Sequence, residues 1–360
     1  MLIDHKDEET SGTKEGYLKY SRRKWMFLIV AALMLAALSI FTIGLGSTDL
    51  SYAEIIRYLF RPDDSWESTV VWDLRFRAIV AAIFAGAALG IAGCVMQSIL
   101  RNPLASPFTL GLSNASAFGA SLAILFLGGG ITVGQASAYV NVTSPVLVTL
   151  VAFAFAMLAT GIMLLLIKVT ECTPESIVLA GLAISSIFSA GLAFLQYIAD
   201  DVALSAIVFW QFGSLSKVSW DNLYLIGVVL LIVAIYFFYK RWDYNAMELG
   251  DEVAEGVGVN VKATRITGLV LSAVLTAVVV SFMGIIGFIG LVGPHIVKRI
   301  VGNDNRYVLP GSMIIGALVL LLAHIVGSYA FYTVIPVGII TSAIGGPIFI
   351  LILIRGHRKK

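Results

Sequence analysis

Residues 266–297 read ITGLVLSAVLTAVVVSFMGIIGFIGLVGPHIV, 32 residues with no Asp, Glu, Lys or Arg. Lys262 and Arg265 precede the stretch, and Lys298 and Arg299 follow it. A single straight helix of this length would run about 48 Å, against a bilayer hydrocarbon core of about 30 Å. Basic residues at both ends favour the same, cytosolic side of a membrane, so the chain must go out and come back. Two full crossings need about 40 residues, so at least one arm is short or broken. Gly284, Gly287, Gly290, Gly293 and Pro294 supply the breaks. Transporters tend to place their substrate pathway along such broken segments. A tight, glycine-packed hairpin explains the same residues, and the two readings are compatible.

The rest of the chain has the same character. Its 360 residues are 59% hydrophobic and 13% charged, with mean hydropathy +0.93, where a soluble domain carries about 25% charge. The apolar runs lack the two-residue alternation of barrel strands, so an all-α integral membrane bundle is expected. Ten spans are read at about 25–46, 78–99, 108–128, 144–167, 177–198, 222–239, 264–283, 286–300, 308–330 and 335–354. With the N-terminus inside, 19 of the 24 Lys and Arg fall on the inner side and 5 (Arg57, Arg61, Arg75, Arg77 and Lys217) on the outer. That asymmetry sets the orientation, with both termini cytosolic.

The expected organisation is one membrane domain over 25–355 between cytosolic tails at 1–24 and 356–360, with no second domain. The polar start ends in Arg22, Arg23 and Lys24, and the apolar run behind it is too long for a cleaved signal. Trp66, Trp72, Trp210, Trp220 and Trp242 lie near predicted interfaces. Gly86, Gly90 and Gly93 at three- and four-residue spacing allow close helix approach; packing is the default reading and a dimer contact the alternative.

Catalytic equipment is missing. The sequence has no GxxxxGK[ST] phosphate loop, HExxH or GxSxG. Cys94 and Cys172 read as two free thiols, and no metal site is expected. A net charge of +2 gives no pull toward nucleic acid. No carboxylate sits well inside a span to relay protons; His324 is the lone intramembrane candidate, and a neutral imidazole bonded to a neighbouring helix is its plainer reading. The chain reads as a pathway without an engine.

Five stretches in order resemble the FecCD/BtuC-type permeases of iron–siderophore, haem and cobalamin ABC importers. Gly287–Arg299, with Gly290, Gly293, Pro294 and His295, resembles the GFIGLVxPHIxR signature. Gly86–Gln97 followed by Arg101, Asn102, Pro103, Leu104 and Ala105 resembles GAALAxSGxxxQxxxxNPLAxP. Trp210 with Gly213, Ser214 and Leu215 is similar to WxxGSL. Leu249–Ala254 with Val257 and Gly258 resembles LGEExAxxLG, and Pro336, Val337 and Gly338 through Pro347 resemble PVGxxTxxxGxPxF. The likeness covers about residues 25–355.

The resemblance implies a ten-transmembrane-helix type II ABC importer permease. It would work as a homodimer with two cytosolic ATPase subunits, which bind ATP and Mg, and an extracytoplasmic substrate-binding protein. It also implies a cell-membrane location and no cofactor in this chain. The family's ATPase dock maps onto the 240–263 segment, at Glu248, Leu249, Gly250, Asp251, Glu252, Ala254, Val257 and Gly258. A short helix is expected there, ending at Gly256 or Gly258.

Where the family often has RLPR, this chain has Arg75-Phe76-Arg77-Ala78, which makes Arg75 the first and Arg77 the second candidate for binding-protein docking. Where it often has LLAD and a later arginine, this chain has His324 and Ser328. The implied cargo is an iron(III)–siderophore, with a corrinoid or haem as alternative. A secondary carrier driven by an ion gradient, or an intramembrane enzyme, are the readings from other classes.

Overall fold

A computed structural model of the chain describes residues 4–127, 131–133, 140–142, 144–169 and 173–357. The helices, in chain order, are α1 (Asp4–Gly44), α2 (Tyr52–Phe60), α3 (Trp66–Thr69), α4 (Arg77–Leu100), α5 (Leu112–Phe126), α6 (Pro145–Val169), α7 (Pro174–Ile198), α8 (Asp201–Gln211), α9 (Trp220–Tyr239), α10 (Arg241–Glu248), α11 (Asp251–Gly256), α12 (Val261–Met283), α13 (Ile289–Val301), α14 (Asn305–Tyr329) and α15 (Val337–His357). A π-helical turn, Val70–Phe76, joins α3 to α4 in one continuous rod. A small antiparallel ladder, β1 (Ile131–Val133) with β2 (Val140–Val142), pairs Thr132 with Asn141 and is the one departure from an all-helical chain among the described residues.

Every expected span holds a helix. Seven helices among the described residues are long and apolar enough to cross a membrane, on α1, α3–α4, α6, α7, α9, α12 and α14. The segments expected at 108–128 and 286–300 hold shorter helices, α5 with 15 residues and α13 with 13. At about 1.5 Å per residue, α13 is about 20 Å long. The short arm that residues 266–297 demanded is therefore α13. The break falls at 284–288, where Gly284 has φ 81° and Phe288, unusually for a side-chain-bearing residue, has φ 66°.

The stretch from Asp4 to Lys24, expected as a cytosolic tail, is helical and continuous with the first span in α1. Between the expected spans, residues 47–77 are helical for most of their length: Ser51 caps α2 in a reciprocal capping box with Glu54. Residues 201–211 form α8, capped by the Asp200 side chain on the Ala203 amide at 2.7 Å. Cys172 lies outside the described residues.

The core is built around α4, whose residues are buried almost from end to end. It packs against α14, α12, α13 and α9. The closeness comes from glycine. A Cβ on Gly86 would meet Gly316 and Ala317 main chain, one on Gly90 the Ser312 carbonyl, and one on Gly93 the Gly290 carbonyl. The spacing read from the sequence is therefore used inside the bundle, for packing helix against helix. A second group joins α5, α6 and α7 through Phe118, Phe155 and Phe188, whose ring centroids lie 5.2, 5.8 and 6.2 Å apart.

Candidate functional site

The 240–263 segment forms two short helices, α10 and α11, hinged at Gly250, whose φ of 127° only glycine adopts readily. Gly258, at φ 86°, ends the unit after α11, close to the helix end expected from the sequence. The buried side of the unit holds Tyr244, Met247 and Ala254. Burial also pushes the Tyr244 phenol well above its ordinary pKa.

Three polar residues tie this unit to four helices of the core. Glu248 accepts from Lys298 Nζ on α13 at 2.8 Å and from Ser98 Oγ on α4 at 2.6 Å. Asp251 takes both carboxylate oxygens to Arg265 Nη2 on α12, at 2.8 and 2.9 Å, and Arg101 at the end of α4 lies 3.7 Å away. Arg265 is 3% exposed and also donates to the Ile99 carbonyl at 3.1 Å. Asn245 accepts from the Asn305 amide at 2.7 Å and donates to Asp304 at 3.2 Å, both at the start of α14. Burial alone would raise the Asp304 pKa, but hydrogen bonds from Arg306 and Asn245 outweigh it and hold the carboxyl below its ordinary value.

What this unit shows to water is different. Leu249 is 74% exposed, Val257 69% and Val253 47%, and Glu252 and Glu255 are exposed beside them. Of the eight residues singled out from the sequence, Glu248, Asp251 and Ala254 thus face inward and Leu249, Glu252 and Val257 face outward. Asn102 and Pro103 sit next to the unit through Arg101, a left-handed C-cap at φ 48°. Asn102 Oδ1 accepts the Leu104 amide at 2.9 Å and fixes that turn. Gln97 is buried, and its side-chain amide has no hydrogen-bond partner among the described residues.

At the opposite end of the bundle, three of the sequence motifs meet. The Ser214 amide donates to the Met283 carbonyl at 2.7 Å. A Cβ on Gly213 would strike the Ile285 carbonyl, and one on Gly338 the Phe212 and Ile285 carbonyls. The α8 exit, the 284–288 break and the Pro336-Val337-Gly338 start of α15 are therefore one knot of main chain. Gly345 lies against the Phe288 side chain. Gly290, Gly293 and Pro294 are buried inside α13, and His295 is half-buried.

The two arginines expected to meet a binding protein are largely withdrawn from the surface of the single chain. Arg75 is 5% exposed. Its guanidinium donates to the Ile43 carbonyl at 3.0 Å and the Thr48 carbonyl at 2.6 Å, locking the end of α1 to the outer rod. These bonds tie Arg75 to the main chain and leave little of it at the surface of the single chain. Arg77 is half-buried and lies 3.7 Å from Asp73. Of the five basic residues expected on the outer side, Arg57, Arg61 and Lys217 are exposed. His324 finds its partner on its own helix, one turn on: Ser328 Oγ lies 3.2 Å from Nδ1. No group of three or more metal-ligating side chains occurs among the described residues.

Comparison with known proteins fits this arrangement. The model of the FecCD transport family matches residues 28–355. The chain belongs to that family. A protein of Methanocaldococcus jannaschii described as an ABC transporter permease is 40% identical over 344 residues, 95% of this chain and 98% of that one. The Fe(3+)-citrate import permease YfmE of Bacillus subtilis is 33% identical over 341 residues, 94% of this chain and 98% of that one. The hemin transport permease HmuU of Yersinia pestis is 30% identical over 341 residues, 93% and 96% of the two chains. A solved structure described as an inward-facing metal-chelate type ABC transporter superposes with TM-score 0.78 at 29% identity, covering 92% of this chain and 99% of that one. This FecCD-family permease is thus a multi-pass membrane protein of the ABC-transporter permease type.

Proposed function

We propose that this permease, crossing the membrane ten times with both ends cytosolic, forms the translocation pathway of an ATP-driven importer, working as a homodimer. Two ATPase subunits bind the exposed side of α10–α11 from the cytosol, and an extracytoplasmic binding protein delivers the cargo. The observation that carries this reading is the split character of α10–α11. Its inner side is clamped to α4, α12, α13 and α14 through Glu248, Asp251 and Asn245, while its outer side offers Leu249, Val253, Val257, Glu252 and Glu255. A unit bonded to four core helices transmits a push received at its exposed surface, which is what an external ATPase engine requires.

The cargo class that relatives named for ferric citrate and hemin support is a metal chelate, with an iron(III)–siderophore first and haem or a corrinoid next. With Arg75 buried, binding-protein docking passes to the exposed outer basic residues Arg57 and Arg61. Arg77 is the secondary contact. The secondary-carrier reading would need His324 as its proton relay, and a hydrogen bond to Ser328 on the same helix gives that relay no second station.

The test is ATP hydrolysis by the permease, its ATPase and its binding protein, reconstituted in liposomes. Ferric siderophore together with the binding protein should stimulate hydrolysis. Haemin or cobalamin stimulating instead would reassign the cargo. Uptake that follows an ion gradient with no ATPase bound would overturn the importer reading.

A further inference from the structure

Where α1 passes α13, a cavity of about 430 Å³ opens beside the first part of the α1 apolar span. Its lining divides along the helix axis. Tyr20, Arg23 and Lys24 occupy the polar end, and Phe27, Val30 and Ile300 continue toward the apolar side. Lys24 is the anomaly. It is 5% exposed, and its ammonium stands 4.0 Å from the Tyr20 ring centroid and 4.9 Å from that of Tyr307. No carboxylate meets it among the described residues. Asp304, three residues before Tyr307 in the chain, is engaged by Arg306 through Nε at 2.9 Å and Nη2 at 2.7 Å, and by Asn245.

A buried ammonium without a counter-ion is costly. Two aromatic faces offset part of that cost but supply no negative charge. An anion from outside the chain would supply it, and the cavity that Lys24 lines admits one. The apolar floor says which kind. Inorganic phosphate would satisfy Arg23 and Lys24 but would leave the Phe27, Val30 and Ile300 wall bare. An amphiphile with a phosphate at the polar end and a hydrocarbon chain below it satisfies both. The level is also right: Trp25 stacks edge-on against Tyr307 at 5.7 Å, and Ser21 Oγ bonds the Tyr307 hydroxyl at 2.7 Å, an aromatic cluster of the kind found at headgroup depth. Basic pockets between membrane helices take anionic lipid headgroups for these reasons.

We propose that the α1–α13 cavity is a binding site for one anionic membrane lipid, with Arg23 and Lys24 holding its phosphate and Phe27, Val30 and Ile300 receiving a hydrocarbon chain. The site requires only that α1 lies in a membrane, so it stands or falls separately from the transport reading.

Native mass spectrometry of the full chain, released from vesicles of phosphatidylcholine alone or mixed with phosphatidylglycerol, tests it. The wild type should retain one phosphatidylglycerol and no comparable phosphatidylcholine. Lys24→Gln and Arg23→Gln should each cut that retention about fivefold, and Lys24→Arg should keep it. If Lys24→Gln fails to fold, the exposed Arg23→Gln decides alone. Equal retention of the two lipids, or unchanged retention in the glutamine variants, would overturn the site. Displacement of the lipid by millimolar inorganic phosphate would assign the cavity to a free anion and likewise reject the lipid.

Discussion

At position 93 one methyl group separates glycine from alanine, and there is no space for it: the Gly290 carbonyl occupies that volume. Valine there must push α4 and α13 apart. Gly161, on α6, has nothing within 4 Å of the same position. Gly93→Val should therefore destabilise the purified protein by about 3 kcal/mol or more, the upper end of overpacking costs. Gly161→Val should stay within about 0.5 kcal/mol of the wild type. Thermal unfolding of the two variants checks this, and equal melting temperatures would refute the packing account. The sequence showed the small-residue spacing but not its partners, since Gly290 and Ser312 lie some two hundred residues away. Arg75 was harder still. Its charge was visible, but its acceptors are the carbonyls of Ile43 and Thr48, and every residue carries a carbonyl, so no side-chain pattern announces them.

The α10–α11 unit makes the element-scale case. Its motif could be read from the sequence as a patch of acids, Glu248, Asp251, Glu252 and Glu255. The structure separates these into two that hold the unit in place and two that face out. Replacing Leu249 and Val253 together by Asp should abolish co-purification of the ATPase subunit while leaving the melting temperature unchanged, because both side chains are already exposed. Intact assembly in that double variant would remove this surface from the coupling role. The break at 284–288 was legible because charge at both ends of an apolar stretch forces a return. By contrast α8 was not: 11 residues, with Asp200 just before them and Asp201 at their start, fall below spanning length and resemble a loop. The polar start of α1 was equally silent, since nothing between Asp4 and Lys24 marks where a helix begins.

For the molecule as a whole, the proposed dimer needs a face that the single chain leaves open. Helix α7 has one, with Ala183, Ser186, Ala190 and Ala193 exposed on one side at three- and four-residue spacing. Ala190→Cys, in a chain with Cys94 and Cys172 replaced by Ala, should cross-link two copies in the membrane. Ile235→Cys on the exposed side of α9 should not. Cross-linking at Ile235 alone would move the interface to α9.

The glycine contacts of α4 also govern how such an assembly changes shape. Where main chain rests on main chain, no long side chains intervene that could swing to new rotamers and let the helices slip. On the proposed coupling through α11, the trio α4, α13 and α14 should turn as one solid block. Relative movement would then fall between that block and the helices packed around it, so substitutions that retune the proposed transport cycle should collect along this boundary and spare the block's interior.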